Sequence, residues 1–372
     1  MSNNKIKVAV GLSGGVDSSV TAALLKREGY DVSGLSMQIY DESIDIDAAG
    51  KNACYGPNKK NDLASARSVC ETLGIPFHVI DLRKEFTENV IGYFRLEYLA
   101  GRTPNPCIVC NRMLKFGFML EKAMESGIEF EKFATGHYAG IIREDDRYIL
   151  KRPSDISKDQ TYFLYSLSQD QLGRTVFPLG NYSKKDVREI ARSLGLHTSE
   201  RPESQDFISG GDYSPFFGKG EINAGDIVDR EGKVLGTHKG IIYYTVGQRK
   251  GLGIAAPDPL YVSKIDAVNN RIIVSDQSEI MSRGLTAKDI NLISVDNIEG
   301  PVRVDVKIRL QHKGAPAVLS DLGNGRAEVI FDEPQLAVTP GQSAVFYVGD
   351  VVLGGGVIER SINLQGHGAP CP

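Results

Sequence analysis

The chain has 372 residues, more than one simple core organises, so two or three domains are expected. It carries 43 Lys and Arg against 47 Asp and Glu, a formal charge of −4, which excludes a generally basic nucleic-acid coat but not a local basic face. No apolar run reaches membrane-spanning length, the opening MSNNKIK has no signal-peptide core, and five cysteines suit a reducing compartment better than a disulfide framework, so a cytoplasmic protein is expected.

In chain order, the β-branched run Val8 to Val10 predicts a buried strand. It feeds Gly11-Leu12-Ser13-Gly14-Gly15-Val16-Asp17-Ser18, and Val20 to Glu28 reads as a helix stopped by Gly29. A strand, a Gly-rich turn and a helix N-terminus make an anion site, because backbone N–H groups converge there and the helix dipole adds positive charge. No Gly-Lys-Ser/Thr closes the loop, so it is not the Walker pattern; the plain alternative is an ordinary Gly-rich βα turn. Asp31 to Met37 predicts a second strand, and Gln38 to Lys60 a polar loop that carries Cys54. Asp62 to Leu73 reads as a helix with Asn61 as N-cap and Gly74 as stop, its stripe Leu63, Ala66, Cys70 and Leu73 sending Cys70 into a core. Pro76 to Asp81 predicts a third strand, Phe86 to Leu99 a helix ended by Gly101, and Asn111 to Ser126 another helix. Lys132 to Thr135 predicts a strand running into Gly136-His137. The alternation implies a doubly wound, Rossmann-like parallel sheet, with Ser13, Met37 and Gly136 all at carboxyl ends of strands, where such sheets bind ligands.

A hairpin with its tip at Asp145-Asp146 follows, then Lys158-Asp159-Gln160, an aromatic run Tyr162 to Tyr165, and a helix from Ser183, its N-cap, to Leu194. Near Gly210 short strands replace helices: Asp226 to Asp229, Lys233 to Thr237, Tyr243 to Gly247, and Leu260 to Ser275 with a hairpin tip at Asn269-Asn270. Further strands are predicted over Val302 to Leu310, Ala327 to Phe331 and Ser343 to Ile358. The expected division is a catalytic α/β domain over 1–210, a small mostly-β domain over 211–283 and a β-barrel over 284–372. The tail Gly366 to Pro372, with Cys371, is expected to be mobile.

The turn Thr103-Pro104-Asn105-Pro106 is stiffened by two prolines and aims Cys107 and Cys110. Cys110 precedes the predicted helix, where the dipole favours a thiolate. A lone C-x-x-C fits redox chemistry, zinc or an iron–sulfur cluster, and no second pair completes a zinc knuckle.

The order Ser-Gly-Gly-x-Asp-Ser resembles the pyrophosphate loop of the ATP pyrophosphatases. Five blocks together resemble the tRNA-specific 2-thiouridylases, in that family's order: Ser13 to Ser18, Gly101 to Lys115, Thr135 to Ala139, Lys158 to Leu164 and Thr245 to Gly253. The likeness spans nearly the whole chain. It implies ATP-dependent adenylation of C2 of the wobble uridine, U34, followed by replacement of the activated oxygen by sulfur. It implies ATP contacts at Gly11 to Ser18, Met37 and Gly136, with Asp17 holding Mg²⁺. It places tRNA contacts at Asn105, Pro106, Cys107, His137, Lys158, Asp159, Gln160, Arg309, Leu310 and Gln342, and sulfur handling at Cys110. An uncharged, lysine-poor pocket would suit a flipped base.

Two departures from the family pattern bear on the sulfur step. Cys107 stands where the family commonly has Asp in Asn-Pro-Asp. After Glu203-Ser204-Gln205-Asp206, where a second cysteine is usual, Phe207-Ile208-Ser209 follows. A two-cysteine persulfide relay therefore lacks its usual partner. Similarity to other thiolating ATP pyrophosphatases suggests instead a 4Fe–4S cluster on Cys54, Cys107 and Cys110 with one iron open; zinc, or Cys107 as a resolving thiol beside a persulfide on Cys110, are the alternatives. The sulfur donor would be a persulfide carrier or sulfide. Two rival functions are an amide-forming synthetase of the same superfamily acting on a small metabolite, and a tRNA-binding protein that has lost catalysis.

Overall fold

The computed structural model describes residues 5–44, 46, 53–200, 206–208 and 212–364. Glu203 to Gln205, Ser209 and the tail with Cys371 lie outside the described residues. The chain divides into two compact units. One comprises Met1–Val90, Cys107–Pro215 and Asp350–Val352; the other comprises Ile91–Pro106, Phe216–Gly349 and Leu353–Pro372.

The first unit is built on strands β1 (Lys7–Gly11) and β2 (Asp31–Gln38), joined by helix α1 (Val16–Arg27). A short strand β3 (Ala53–Tyr55) and helix α2 (Lys59–Leu73) lead to β4 (Phe77–Asp81), and β5 (Lys132–Thr135) follows a long helical stretch. The antiparallel hairpin of β6 (Gly140–Glu144) and β7 (Arg147–Lys151) turns at Asp145-Asp146, and β8 is Thr175–Val176. The five-stranded sheet runs β4-β2-β1-β5-β8 and every pairing is parallel. Strand order reverses between β1 and β5, and that switch point opens a crevice at the strand ends. Val8, Val10, Leu12, Ala22, Leu25, Ala66 and Cys70 form one core layer, so Cys70 is a packing residue and burial pushes its thiol up to about 12.

The helical stretches depart from prediction in ways that matter for the site. Helix α1 starts at Val16, so Asp17 and Ser18 lie within its first turn. Helix α2 starts at Lys59 behind Asn58, not Asn61, and the expected loop before it contains β3. The helix predicted from Asn111 begins at Pro106, whose missing N–H costs nothing at a first helical position. From Cys110 to Phe118 it is wound as a π-helix, which frees carbonyls from the regular ladder. Gln171 satisfies two of them, its amide donating to Arg112 O at 2.9 Å and Phe116 O at 3.0 Å.

The second unit holds a four-stranded sheet in the order Val234–His238, Gly225–Val228, Arg271–Ser275, Tyr261–Asp266. Tyr243 to Gly247 is not a strand; a 3₁₀ turn occupies Ile241–Tyr243. The hairpin tip is at Asn269-Asn270, with Asn270 at φ 48°. Strands Met281–Leu292, Arg326–Leu336, Ala315–Gly323, Val302–Lys307, Ser343–Val348 and Val351–Asn363 follow one another antiparallel, and pairing of the first with the last closes a barrel. Val306, Ala317, Val329, Phe346 and Ile358 fill it.

At Gly34, in the middle of β2, an added Cβ would lie 2.6 Å from both Cys70 Sγ and Leu12 Cδ1. Gly34→Ala is expected to cost about 1–3 kcal/mol by overpacking; urea unfolding at neutral pH measures it.

Candidate active site

Two concavities flank the parallel sheet. The larger, about 660 Å³, lies at the strand starts and is lined by Lys7, Asp31, Phe77 and Glu129. The smaller, about 310 Å³, lies at the carboxyl ends. Ligands of parallel sheets bind at carboxyl ends, so the smaller is the candidate site. Its wall includes Gly11, Leu12, Ser13, Gly15, Val16, Asp17 and Ser18, together with Met37 and Gly136. Every expected ATP residue except Gly14 is therefore in one cavity.

Gly14 shapes the loop, with φ at 77°. Its carbonyl accepts from Ser65 Oγ at 3.0 Å, and His197 Nε2 stands 2.9 Å from the same hydroxyl. Ser18 Oγ accepts from Ser13 N at 3.2 Å and donates to Gly15 O at 3.1 Å. Helix α1 has Gly15 as N-cap and no side-chain cap, so its first-turn N–H groups keep their capacity for an anion. Gly136 closes the opposite wall: a Cβ there would sit 2.7 Å from Asp17 C and Ser18 N.

The cavity is not lysine-poor. Lys59 and Lys115 line it, with Asp62, Cys54 and Gln160. Sequence reasoning missed Lys59 because it lay in a predicted loop, and Lys115 because a π-helix changes which residues share a face. Lys115 Nζ donates to Asn111 Oδ1 at 2.8 Å. His137 also lines the cavity. Its Nδ1 is 2.7 Å from Thr135 Oγ1, and its ring lies against Phe116 and Phe177. Burial, with Lys115 adding to it, holds His137 well below the ordinary histidine range, so the ring is neutral.

The cysteines are arranged differently from expectation. Cys54 is not in a loop but at the centre of β3, and it is exposed. Strand β3 pairs in parallel with β9 (Asp206–Ile208), Ala53 opposite Asp206 and Tyr55 opposite Ile208. Cys54 therefore flanks Phe207, in the segment where the second cysteine was expected. Tyr55 stacks on Phe86 at 5.0 Å, and Phe86 faces Phe207 at 6.2 Å, which pins both strands. Cys107 and Cys110 are partly buried and do not line the cavity. Burial pushes Cys107 up to about 12, and the Cys54 and Cys110 thiols add to the shift. Burial also raises Cys110, with Lys115 pulling against it. Cys110 sits inside the helical run, so the dipole does not produce the expected thiolate. Among the described residues no group of three or more His, Cys, Asp or Glu stands in a metal-holding arrangement.

The expected tRNA residues fall in both units. In the first, Asp159 accepts from Thr161 N at 2.9 Å and pairs with Arg152, while Gln160 Oε1 accepts from Tyr138 N at 2.9 Å. Lys158 closes a 3₁₀ turn capped by Asp155. In the second, Asn105 N donates to Tyr93 Oη at 3.3 Å and Arg309 Nη1 to Leu336 O at 3.2 Å, beside a half-buried Leu310. Gln342 donates to Thr103 O and Pro104 O, both at 3.1 Å, so its amide holds the proline turn.

Comparison with known proteins fits this architecture. Residues 6–209 match the family described as tRNA methyl transferase HUP domain, 219–276 its PRC-barrel domain, and 282–358 an aminomethyltransferase β-barrel domain. The tRNA-specific 2-thiouridylase MnmA of Acetivibrio thermocellus is 49% identical over 363 residues, covering 96% of this chain and 100% of the relative. The chain belongs to the tRNA-specific 2-thiouridylase family. The enzymes of that name from Carboxydothermus hydrogenoformans and Clostridioides difficile are 47% and 45% identical, each over 96% of this chain and 98% and 99% of their own. Family membership agrees with the fold observed: a Rossmann-like parallel sheet, a mostly-β middle part and a closed antiparallel barrel.

Two expectations follow from the site's electrostatics. Lys115→Met removes the cation that lowers Cys110, so alkylation of Cys110 by iodoacetamide at pH 8 is expected to slow by about three- to tenfold, read by peptide mass spectrometry. His137 stays neutral when folded, whereas the unfolded ring takes a proton near about 6.5. Stability present above that pH is then lost as pH falls below it, and His137→Gln should flatten the dependence in urea melts between pH 5 and 7.5.

Proposed function

We propose that this chain is an ATP-dependent sulfurtransferase that converts the wobble uridine, U34, of tRNA to 2-thiouridine. The observation that carries the reading is the shared wall of one cavity. The Gly-rich loop and the α1 N-terminus form one side, and Lys115, one helical turn from Cys110, forms another. The family's name and full-length similarity supply the substrate class.

The chemistry runs in three displacements and a closing reduction. The C2 oxygen of uridine attacks the α-phosphorus of ATP, and pyrophosphate leaves into the N–H groups of Gly15 to Ser18. On the persulfide reading, the outer sulfur on Cys110 then attacks C2 and AMP carries the oxygen away; Cys107 Sγ attacks Cys110 Sγ, breaking the S–S bond to release 2-thiouridine, and the Cys107–Cys110 disulfide that remains is reduced by an external dithiol. Lys59 and Lys115 stabilise negative charge that moves from the α-phosphate to the leaving groups. A neutral His137 leaves the base pocket uncharged on that side. Residues 1–210 form the catalytic part, and 211–283 and 284–372 the tRNA-binding parts, with Asn105 to Cys107, His137, Lys158 to Gln160, Arg309-Leu310 and Gln342 as the tRNA-contact segments. A cytoplasmic location suits a tRNA substrate; among the described residues no helix is long and apolar enough to cross a membrane.

The sulfur carrier has two readings. The Cys54 thiol acts on both Cys107 and Cys110, which supports a 4Fe–4S cluster on the three. The raised values of Cys107 and Cys110, and the lack of a metal-holding arrangement among the described residues, favour protonated thiols at those two positions and a persulfide on Cys110. Iron and sulfide analysis after anaerobic purification separates the two: stoichiometric iron lost in Cys54→Ser selects the cluster, and full thiolation by iron-free protein selects the persulfide.

Thiolation itself is tested with Cys110→Ser. Formation of AMP and pyrophosphate stimulated by tRNA is expected to persist while 2-thiouridine falls below about one-hundredth of wild type. AMP formation stimulated by small amines and not by tRNA would sink the reading in favour of an amide-forming synthetase. Absence of any ATP turnover would favour a tRNA-binding protein.

A further inference from the structure

Asp17 is the expected Mg²⁺ holder, yet its carboxylate is already engaged. Lys184 Nζ lies 2.7 Å from Oδ1 and 2.7 Å from Oδ2, and the Tyr138 hydroxyl donates to Oδ1 at 2.9 Å. The Lys184 and Asp17 side chains are only 12% and 27% exposed, so solvent screens the pair weakly. Mg²⁺ demands near-octahedral oxygen ligation, and a carboxylate whose two oxygens bind an ammonium and a phenol does not fit that role.

The pair is built into the fold. Lys184 opens the helix Lys184–Ser193, whose N-cap Ser183 forms a capping box with Asp186. Val187 and Ala191 of that helix pack with Val16, Val20 and Leu24 of α1 and with Tyr138 in one buried cluster. Helix packing thus sets the lysine against the first turn of α1 before any nucleotide arrives. The consequence is electrostatic. An unneutralised carboxylate in the first turn of an anion-binding helix would repel a polyphosphate and oppose the helix dipole's effect on it.

Resting on the nucleotide reading of this cavity, we propose that Lys184 is a positioning residue of the ATP site: it neutralises Asp17 and, with Tyr138, fixes the first turn of α1 for the pyrophosphate, and Asp17 serves as its counter-ion and not as a metal ligand. The pair explains why a lysine that does not line the cavity sits beside a carboxylate of its wall.

The test is a double-mutant cycle on the full chain with Mg-ATP as ligand, read by calorimetric Kd, by AMP formation and by thermal melts. In Lys184→Met the uncompensated carboxylate is expected to weaken ATP binding tenfold or more, raising KM more than it lowers kcat, and Lys184→Arg is expected to restore affinity to within about threefold. The double variant D17N/K184M, a neutral pair, should bind ATP more tightly than K184M and keep the wild-type Mg²⁺ concentration for half-maximal AMP formation. Unchanged affinity in K184M, or a tenfold rise in the Mg²⁺ requirement of D17N/K184M, overturns the proposal. If K184M does not melt cooperatively, Tyr138→Phe carries the same test: weaker ATP binding supports the network, and an unchanged Kd overturns it. Wild-type protein that binds no ATP would overturn the nucleotide reading itself, whereas wild-type binding abolished by Gly136→Ala, with K184M binding normally, would overturn the lysine's role alone.

Discussion

The close approach of Gly136 to the backbone of Asp17 and Ser18 is the contact on which the parallel α/β unit depends. With no side chain at that position, the end of β5 can lie against the first turn of α1, at 2.7 Å from where a Cβ would be. That contact brings the two halves of the doubly wound sheet together at its switch point. It places the loop, Met37 and His137 around one cavity. From there a chain of polar contacts runs outward: Asp17 to Tyr138, and the Tyr138 backbone to Gln160. The segment Lys158 to Gln160 is thereby tied to the Gly-rich loop by hydrogen bonds.

Charge in the site is managed by pairing and burial more than by exposure. Lys184 takes up the one acidic side chain in the first turn of α1. Lys115 is held by Asn111, which in turn donates to Phe163 O at 3.2 Å. That lysine acts on both neighbours: it works against the burial that raises Cys110 and adds to the burial that lowers His137.

The cysteine geometry shows how a local pattern can mislead. Cys54 reads as a loop residue because its strand is three residues long and its partner lies about 150 residues away, at Asp206–Ile208. So short a strand has no periodicity of its own; its pairing and the Tyr55–Phe86 stack hold it. Cys110 reads as a pre-helical residue because helix propensity is clear only from Asn111 onward, yet Pro106 is a competent first residue and the helix starts there. Burial then overrides any gain from the dipole, which falls off within the first turn.

The sequence by itself determined the parallel α/β unit, the β-rich remainder, the Gly-rich loop at the strand end and the family, because each is written in contiguous residues. Val8 to Ser18 carries a strand, turn and helix start together. Strand β5, the hairpin tips at Asp145-Asp146 and Asn269-Asn270, and the Ser183 cap are equally local, since turn chemistry and capping act over a few residues. Only the tertiary structure decided what the side chains face. It set Lys184 on Asp17 across 167 positions, Lys59 and Lys115 in the cavity wall, and Cys54 beside Phe207. Those relations come from helix packing, a π-wound segment and a remote strand pairing. They depend on which surfaces meet after folding, and no short stretch of chain encodes that.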